Sequence, residues 1–431
     1  MMRSRAICGA IALAALVPAV AAAQSRSPYS DLFGRTPQRT GKEFTAVQFR
    51  STAGAQQGWT LESEFTPPGT VIPEGLSGGA DAQVTAEHIG RKLQVAGHGR
   101  YSYQEYRQEP AFGAPAFDTG VRIEVRPRTR LAFYGGANFA RSPFYQLMWL
   151  QPDLTSPLPP VDQSAILMLQ NDSVEASGGV ISRYSSRSSI ELSAVMKETD
   201  FESTPQHDFS SVGATIMWRR QMTRNVSVHG GYSREQLRQT LAVNDTRFTN
   251  ERIDVGVEYG KSLTFARRTS FGFGTDTSMV RENDGPHRFR LNGNVTLDHR
   301  FARTWVMQVA ARRGTDFLPG FRAPVYTDHA HIAVAGYLAK RLLLNLNADG
   351  GQGAALSDPR KFISYAGNAK LTFAMTRHLG MFTQYVYNHY QMPADPLALF
   401  LVPKGARQAV SIGVETWVSI LDKEKVTSDP R

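Results

Sequence analysis

The chain has almost no cysteine. Its 431 residues include one, Cys8. Disulfides and thiolate metal sites are therefore excluded from everything that follows it. Long apolar runs are also missing beyond the N-terminus, so no membrane helix of ~20 residues can form there. No segment shows a convincing 3.6-residue period. The 10 histidines are scattered, without HExxH or clustered ligand spacing, and neither GxSxG nor a Walker motif occurs. No metal, cofactor or catalytic residue is expected, and the chain is not read as an enzyme. His329 and His331 in TDHAHIAV share a strand face and are read as a plain polar pair. DGGQGAALSD (349–358) is glycine-rich, but it is read as leaving a strand for a loop, with no helix to hold a phosphate. No nucleic-acid recognition motif is present.

What is there begins with a short export signal. Arg3 and Arg5 precede the apolar run AICGAIALAALVPAV, and Ala21 and Ala23 fit a small-residue cleavage site before Gln24. Residues 1–23 are therefore expected to be a signal peptide. Removing Arg3 and Arg5 from the 48 basic residues leaves 46 against 38 acidic ones, a net charge of +8. A basic exported protein can meet anionic polysaccharide or lipid head groups.

The rest of the chain alternates. In SSIELSAVMKE, Ile190, Leu192, Ala194 and Met196 oppose Glu191, Ser193 and Lys197. In ERIDVGVEYG, Ile253, Val255, Val257 and Tyr259 oppose Arg252, Asp254 and Glu258. Leu342, Leu344 and Leu346 likewise oppose Asn345 and Asn347. Period 2 is the mark of strands with one apolar and one polar face. Between the strands recur basic turns, marked by Arg91, Arg128, Arg187, Arg224, Arg267, Arg303, Arg341 and Arg377. All but one of their spacings are near 36–43 residues; the long one holds the Pro- and Leu-rich insert at 144–165. That insert is a loop, whether folded inward or outward. Each interval holds two long strands and one longer polar link.

Alternation alone fits a soluble sheet as well. Three features favour a membrane barrel instead. The strands are long enough to cross a tilted bilayer. Short basic turns alternate with longer polar links. Tyrosine and tryptophan recur near strand ends on the apolar parity, at Tyr101, Tyr103, Trp218, Tyr232, Tyr259, Trp305, Tyr365 and Tyr387. Lipid offers no hydrogen bonds, so the sheet must close. The expected fold is all-β, one closed antiparallel transmembrane barrel of about 18 strands, or 16, over 44–420. Residues 24–43 are expected to be a flexible leader and 421–431 a polar tail. The polar parity then faces a lumen. Its candidate pore-lining residues are Arg100, Arg122, Glu124, Arg252, Asp254, Glu258, Arg288, Arg290, Gln308, Arg312, Asn345, Asn347 and Lys370. Their arginine excess predicts a mildly cationic channel favouring anions.

This layout resembles bacterial outer-membrane β-barrels of the porin type, including those that accompany exopolysaccharide export. The resemblance covers 44–420 and rests on the signal peptide, on turns such as FARTW and MTRHLG, and on the terminal strand AVSIGVETWVSI. It implies an outer-membrane location and contact with lipid, lipopolysaccharide and the barrel-assembly machinery. It also implies a cargo of small polar or anionic solutes, or of secreted polysaccharide. Such barrels often end on an aromatic residue; here a polar tail follows Ile420 and Leu421. Two other readings stand beside the channel: an accessory barrel with a blocked lumen, and a soluble all-β repeat protein.

Overall fold

In a computed structural model, residues 43–63, 75–107, 112–143, 170–201, 208–223, 225–239, 246–262, 269–282, 288–301, 304–316, 325–355, 361–391 and 404–425 are described. They form 18 strands: β1 (Glu43–Ser63), β2 (Gly75–Ile89), β3 (Leu93–Tyr106), β4 (Phe112–Arg128), β5 (Leu131–Pro143), β6 (Gln170–Arg183), β7 (Ser188–Phe201), β8 (Phe209–Gln221), β9 (Val226–Gln239), β10 (Thr246–Ser262), β11 (Thr269–Glu282), β12 (Arg288–Phe301), β13 (Trp305–Asp316), β14 (Val325–Ala339), β15 (Leu342–Ala355), β16 (Lys361–Ala374), β17 (Leu379–Gln391) and β18 (Lys404–Lys425). Each strand pairs antiparallel with the next, as in β2 with β3. β1 also pairs with β18, from Glu43 opposite Lys425 to Ser63 opposite Gly405. That last ladder removes both edges, so no row of backbone donors is left open.

The strand count is the larger of the two expected. The bounds differ at both ends. β1 begins at Glu43, inside the expected leader, and β18 runs to Lys425, past Ile420. The two ends pair with each other, and that pairing holds residues whose composition alone reads as tail. β15 likewise continues through DGGQGAA, which is strand and not loop; Gly350 and Gly351 take their places opposite Tyr365 and Ser364. The signal segment 1–23 and the insert 144–165 lie outside the described residues, as does Arg303.

Links at one end are short: Gly90–Lys92 joins β2 to β3, and Lys340–Arg341 joins β14 to β15. Links at the other end run from five residues, as at 283–287, to the long segment 144–169, while the short end reaches six only at 263–268. The start of β1 and the end of β18 lie beside the short links, since Phe44 pairs with both Ile89 and Glu424.

The two faces are inverted relative to a soluble protein. Along β7, Ile190, Leu192, Ala194 and Met196 are exposed while Glu191, Ser193, Lys197 and Thr199 are covered to varying degrees. Val255 is 67% exposed and Leu291 64%, whereas Lys370 is 2% and Glu415 1% exposed. A large apolar side chain left in water forgoes roughly 1.5–3 kcal/mol of burial. Here such residues form a belt around the whole barrel, far beyond what a soluble surface tolerates. Trp218, Tyr259 and Trp305 lie near strand ends on this belt, whereas Tyr232 lies at mid-strand. Tyr365 stacks on Tyr387 with ring centres 6.0 Å apart and on His389 at 4.6 Å. Near the short-link end, the Trp305 ring lies where any side chain at Gly336 would stand, so glycine is required there.

Candidate functional site: the inner wall

Strand register fixes which side chains share the inner face, because opposed residues on neighbouring strands point the same way. The row Gln83, Arg100, Asp118, Ala140 runs across β2 to β5. Continued around the barrel, the same register places Arg100, Arg122, Glu124, Arg252, Asp254, Glu258, Gln308, Arg312, Asn345, Asn347 and Lys370 on one continuous inner wall. Their surroundings differ by sector.

In the β2–β5 sector the arginines meet acids. Arg100 Nε donates to Asp81 Oδ2 at 2.5 Å. His98 Nε2 lies 3.2 Å from Asp118 Oδ1. Glu124 is buried and accepts from Arg126, and Tyr134 donates to Glu191 from β7. Arg122 is exposed between Ala96 and Gly136 and makes no ion pair among the described residues.

A second sector spans β8 to β11. Arg219 Nη2 donates to Glu258 Oε1 at 3.0 Å, and the Ser227 hydroxyl donates to Oε2 at 3.1 Å. His229 Nε2 is 2.9 Å from Asp254 Oδ1. Arg252 faces Asp276 at 3.9 Å.

The third sector, β14 to β1, is closed to solvent. His331 Nδ1 is 2.7 Å from Asp349 Oδ1, with His329 Nε2 3.6 Å from the same oxygen. The expected plain histidine pair is thus tied to a buried aspartate. Lys370 Nζ donates to Glu415 Oε2 at 2.7 Å and sits 4.3 Å from the Phe382 ring centre. Arg50 Nη2 reaches the same oxygen at 3.3 Å. Asn345, Asn347, Asn368, Gln384 and Asn388 line the rest of this wall and are all buried. Below them Tyr337 and Trp417 pack on Leu343 and Ala374 at the short-link end.

Arg288 and Arg290 stand apart, at the start of β12 by the longer links. Arg290 lies over the Tyr326 ring at 5.5 Å, and Arg313 covers the same ring at 5.9 Å while holding Asp328. Arg290 belongs to this rim cluster, and Arg288 is exposed at the first position of the same strand. Gln308 and Arg312 are exposed, together with Asn294, Thr296 and Asp298 on β12. The inner wall is therefore open along β12 and β13 and packed from β14 to β1, with Arg122 a separate exposed point on β4 across the barrel. Asn345, Asn347, Glu124 and Lys370 are inward but buried, so they do not border open water as Arg122 and Arg312 do.

Sequence reasoning did not single out Arg50, Asp81, Asp276 or Glu415. Each lies on an inward parity, and Glu415 stands in the quoted terminal strand. The available signal was opposite charge on the same parity of neighbouring strands. Among the described residues no cluster of three or more His, Cys, Asp or Glu could hold a metal ion.

No protein-family model matches this chain, and no curated protein matches it by sequence. Among solved structures, OccK7 (OpdD) of Pseudomonas aeruginosa is similar over 88% of this chain and 99% of its own, at 9% identity and a TM-score of 0.46. OpdQ of Pseudomonas aeruginosa is similar over 88% of this chain and 98% of its own, at 8% identity and a TM-score of 0.45. OccAB4 of Acinetobacter baumannii is similar over 88% of this chain and 100% of its own, at 10% identity and a TM-score of 0.45. No functional conclusion follows from these likenesses.

Proposed function

We propose that the chain is an outer-membrane barrel whose inner wall provides a polar passage for small hydrophilic solutes. One observation carries this reading: the exposed face is apolar and the enclosed face is polar. Val255 and Leu291 point out, while Lys370, Glu415 and the asparagines of β15 and β16 point in. Only a lipid surround makes such an arrangement favourable. The exposed belt contacts lipid and, in the outer leaflet, lipopolysaccharide, and insertion falls to the barrel-assembly machinery. The passage runs along β12 and β13, past Gln308 and Arg312, with Arg122 of β4 facing it from the opposite wall. Several inner cations have acidic partners, so the preference for anions is weaker than the arginine content suggests, with Arg122 one source beside Arg288, Arg290 and Arg300 on β12. A polysaccharide cargo is supported by the family resemblance alone.

A barrel with a blocked lumen is the second reading, favoured by the burial of the β14 to β1 wall. Planar-bilayer recording separates the two. Stable conductance steps in salt support the passage, and silence at every voltage sinks it. Carbonate extraction tests the membrane itself: release into the soluble fraction would overturn both readings.

A further inference from the structure

We infer that the short-link rim of this barrel is a docking surface for anionic phospholipid headgroups in the adjoining leaflet. The inference rests on the membrane-spanning reading above. Every one of the eight short links carries at least one arginine or lysine, and none carries an aspartate or glutamate. The longer links differ: all but 317–324 carry an acidic residue, and only 107–111, 317–324 and 356–360 carry an arginine or lysine. A barrel needs no such polarity for folding, because turn conformation is indifferent to the sign of a solvated charge.

The described rim cations are available. Arg91, Arg130, Arg187, Lys340, Arg341 and Arg377 are all exposed. None makes a salt bridge among the described residues, unlike the inner-wall cations Arg50, Arg100 and Lys370. The cations also sit against apolar surface. Tyr184 is 54% exposed, Leu338 53% and Met222 52%, in or beside the same links, and outward-facing Ile420 lies near the same end. Cations continuous with an apolar belt fit the headgroup layer, where an acyl surface and a phosphate plane meet. A soluble polyanion would need the charges but not the adjoining apolar side chains.

The test uses the purified full chain in nonionic micelles. It is titrated with short-chain phosphatidylglycerol or with phosphatidylcholine of the same chain length, and bound lipid is counted by native mass spectrometry. The expected preference for phosphatidylglycerol is about tenfold, lost progressively as salt screens the rim. The combined variant Arg187→Gln, Arg341→Gln, Arg377→Gln should bind both lipids within about twofold. Those residues lie in exposed links, and heat-modifiable gel mobility confirms that the variant is folded. Arg313→Gln, at the opposite rim, should keep the preference. Equal binding of the two lipids by the unaltered chain overturns the inference, and so does a preference that survives the triple change. Displacement of phosphatidylglycerol by inorganic polyphosphate at similar concentration also overturns it, since the rim would then read charge alone. Release of the chain by carbonate would instead overturn the membrane reading. Retention without lipid preference sinks the rim inference only.

Discussion

Val295 and Thr296 are adjacent in β12, yet they face opposite media. Val295 is 43% exposed and opposes Phe273 and Ala311, both on the outer face. Thr296 opposes Gly272 and Ala310 on the inner face, with Asn294 and Asp298 beside it. Both lie near the middle of a strand that runs from Arg288 to Phe301. Arginine substitution at the two positions is therefore a matched pair. The backbone, the depth and the added charge are the same, and only the face differs. On a lipid face at mid-depth an arginine costs about 2–4 kcal/mol. That is roughly a 30- to 700-fold loss in the folding equilibrium. Thr296→Arg adds a cation to an open polar wall next to Asp298, where a change within about 0.5 kcal/mol is expected. The assay is folding into lipid vesicles against a urea series, followed by heat-modifiable mobility. If Val295→Arg is as stable as Thr296→Arg within about 0.5 kcal/mol, the face assignment is wrong, and the membrane reading with it.

Two further outcomes are specific to the inner wall. Lys370→Met leaves Glu415 buried with only the more distant Arg50 of the described pair and should destabilise the barrel by about 3–5 kcal/mol in the same urea assay. Adding Glu415→Leu should recover most of that loss, because the desolvated charge is then gone; no recovery would mean that the pair is not coupled as its geometry indicates. Arg122→Glu reverses an exposed inner cation that has no ion-pair partner among the described residues, and should move the reversal potential in a salt gradient toward cation preference. An unchanged potential would place the conducting path elsewhere than beside β4.

The strands were legible because their physics is local. Alternation such as Ile190, Leu192, Ala194 and Met196 against Glu191, Ser193 and Lys197 states both the element and its two faces. The short links were legible too, since Gly90–Lys92 and Met375–His378 break the alternation where the chain must reverse. What the outer face meets is set by exposure, and exposure is not in the pattern. Long-range pairing was less legible. Glu415 gains Lys370 across 45 residues and Arg50 across 365, and nothing near any of the three announces the others. Strand ends were misjudged where composition and pairing disagree. Leu421 and Asp422 read as polar tail, but Val47 and Ala46 supply their backbone partners. The glycines of DGGQGAA likewise signal a loop by composition, yet Ile363, Ser364 and Tyr365 hold them in the sheet. The division of the inner wall into a packed and an open side was not legible at all. Asn345 on the packed side and Asn294 on the open side occupy equivalent positions in their alternating patterns.

That division can be measured because the chain has so little cysteine. With Cys8 as the sole thiol in the sequence, and inside the segment expected to be cleaved, a single introduced cysteine has no competitor. Thr296→Cys and Gln308→Cys put a thiol on the open side; Asn345→Cys and Asn368→Cys put one on the packed side, where both residues are buried. A charged, water-soluble thiol reagent reacts with the thiolate and so reports water at each site. Thr296→Cys and Gln308→Cys should react at rates near those of an exposed peptide thiol, and a fixed charge added there should reduce conductance. Asn345→Cys and Asn368→Cys should react at least tenfold more slowly, because burial excludes the reagent and holds the thiol neutral. Denaturation should erase the difference. Equal rates at all four positions in the folded barrel would mean a lumen wet on every side, and the second, blocked reading would lose its support. Protection at all four would mean that no side is open, and the passage reading would fall even if the barrel spans the membrane.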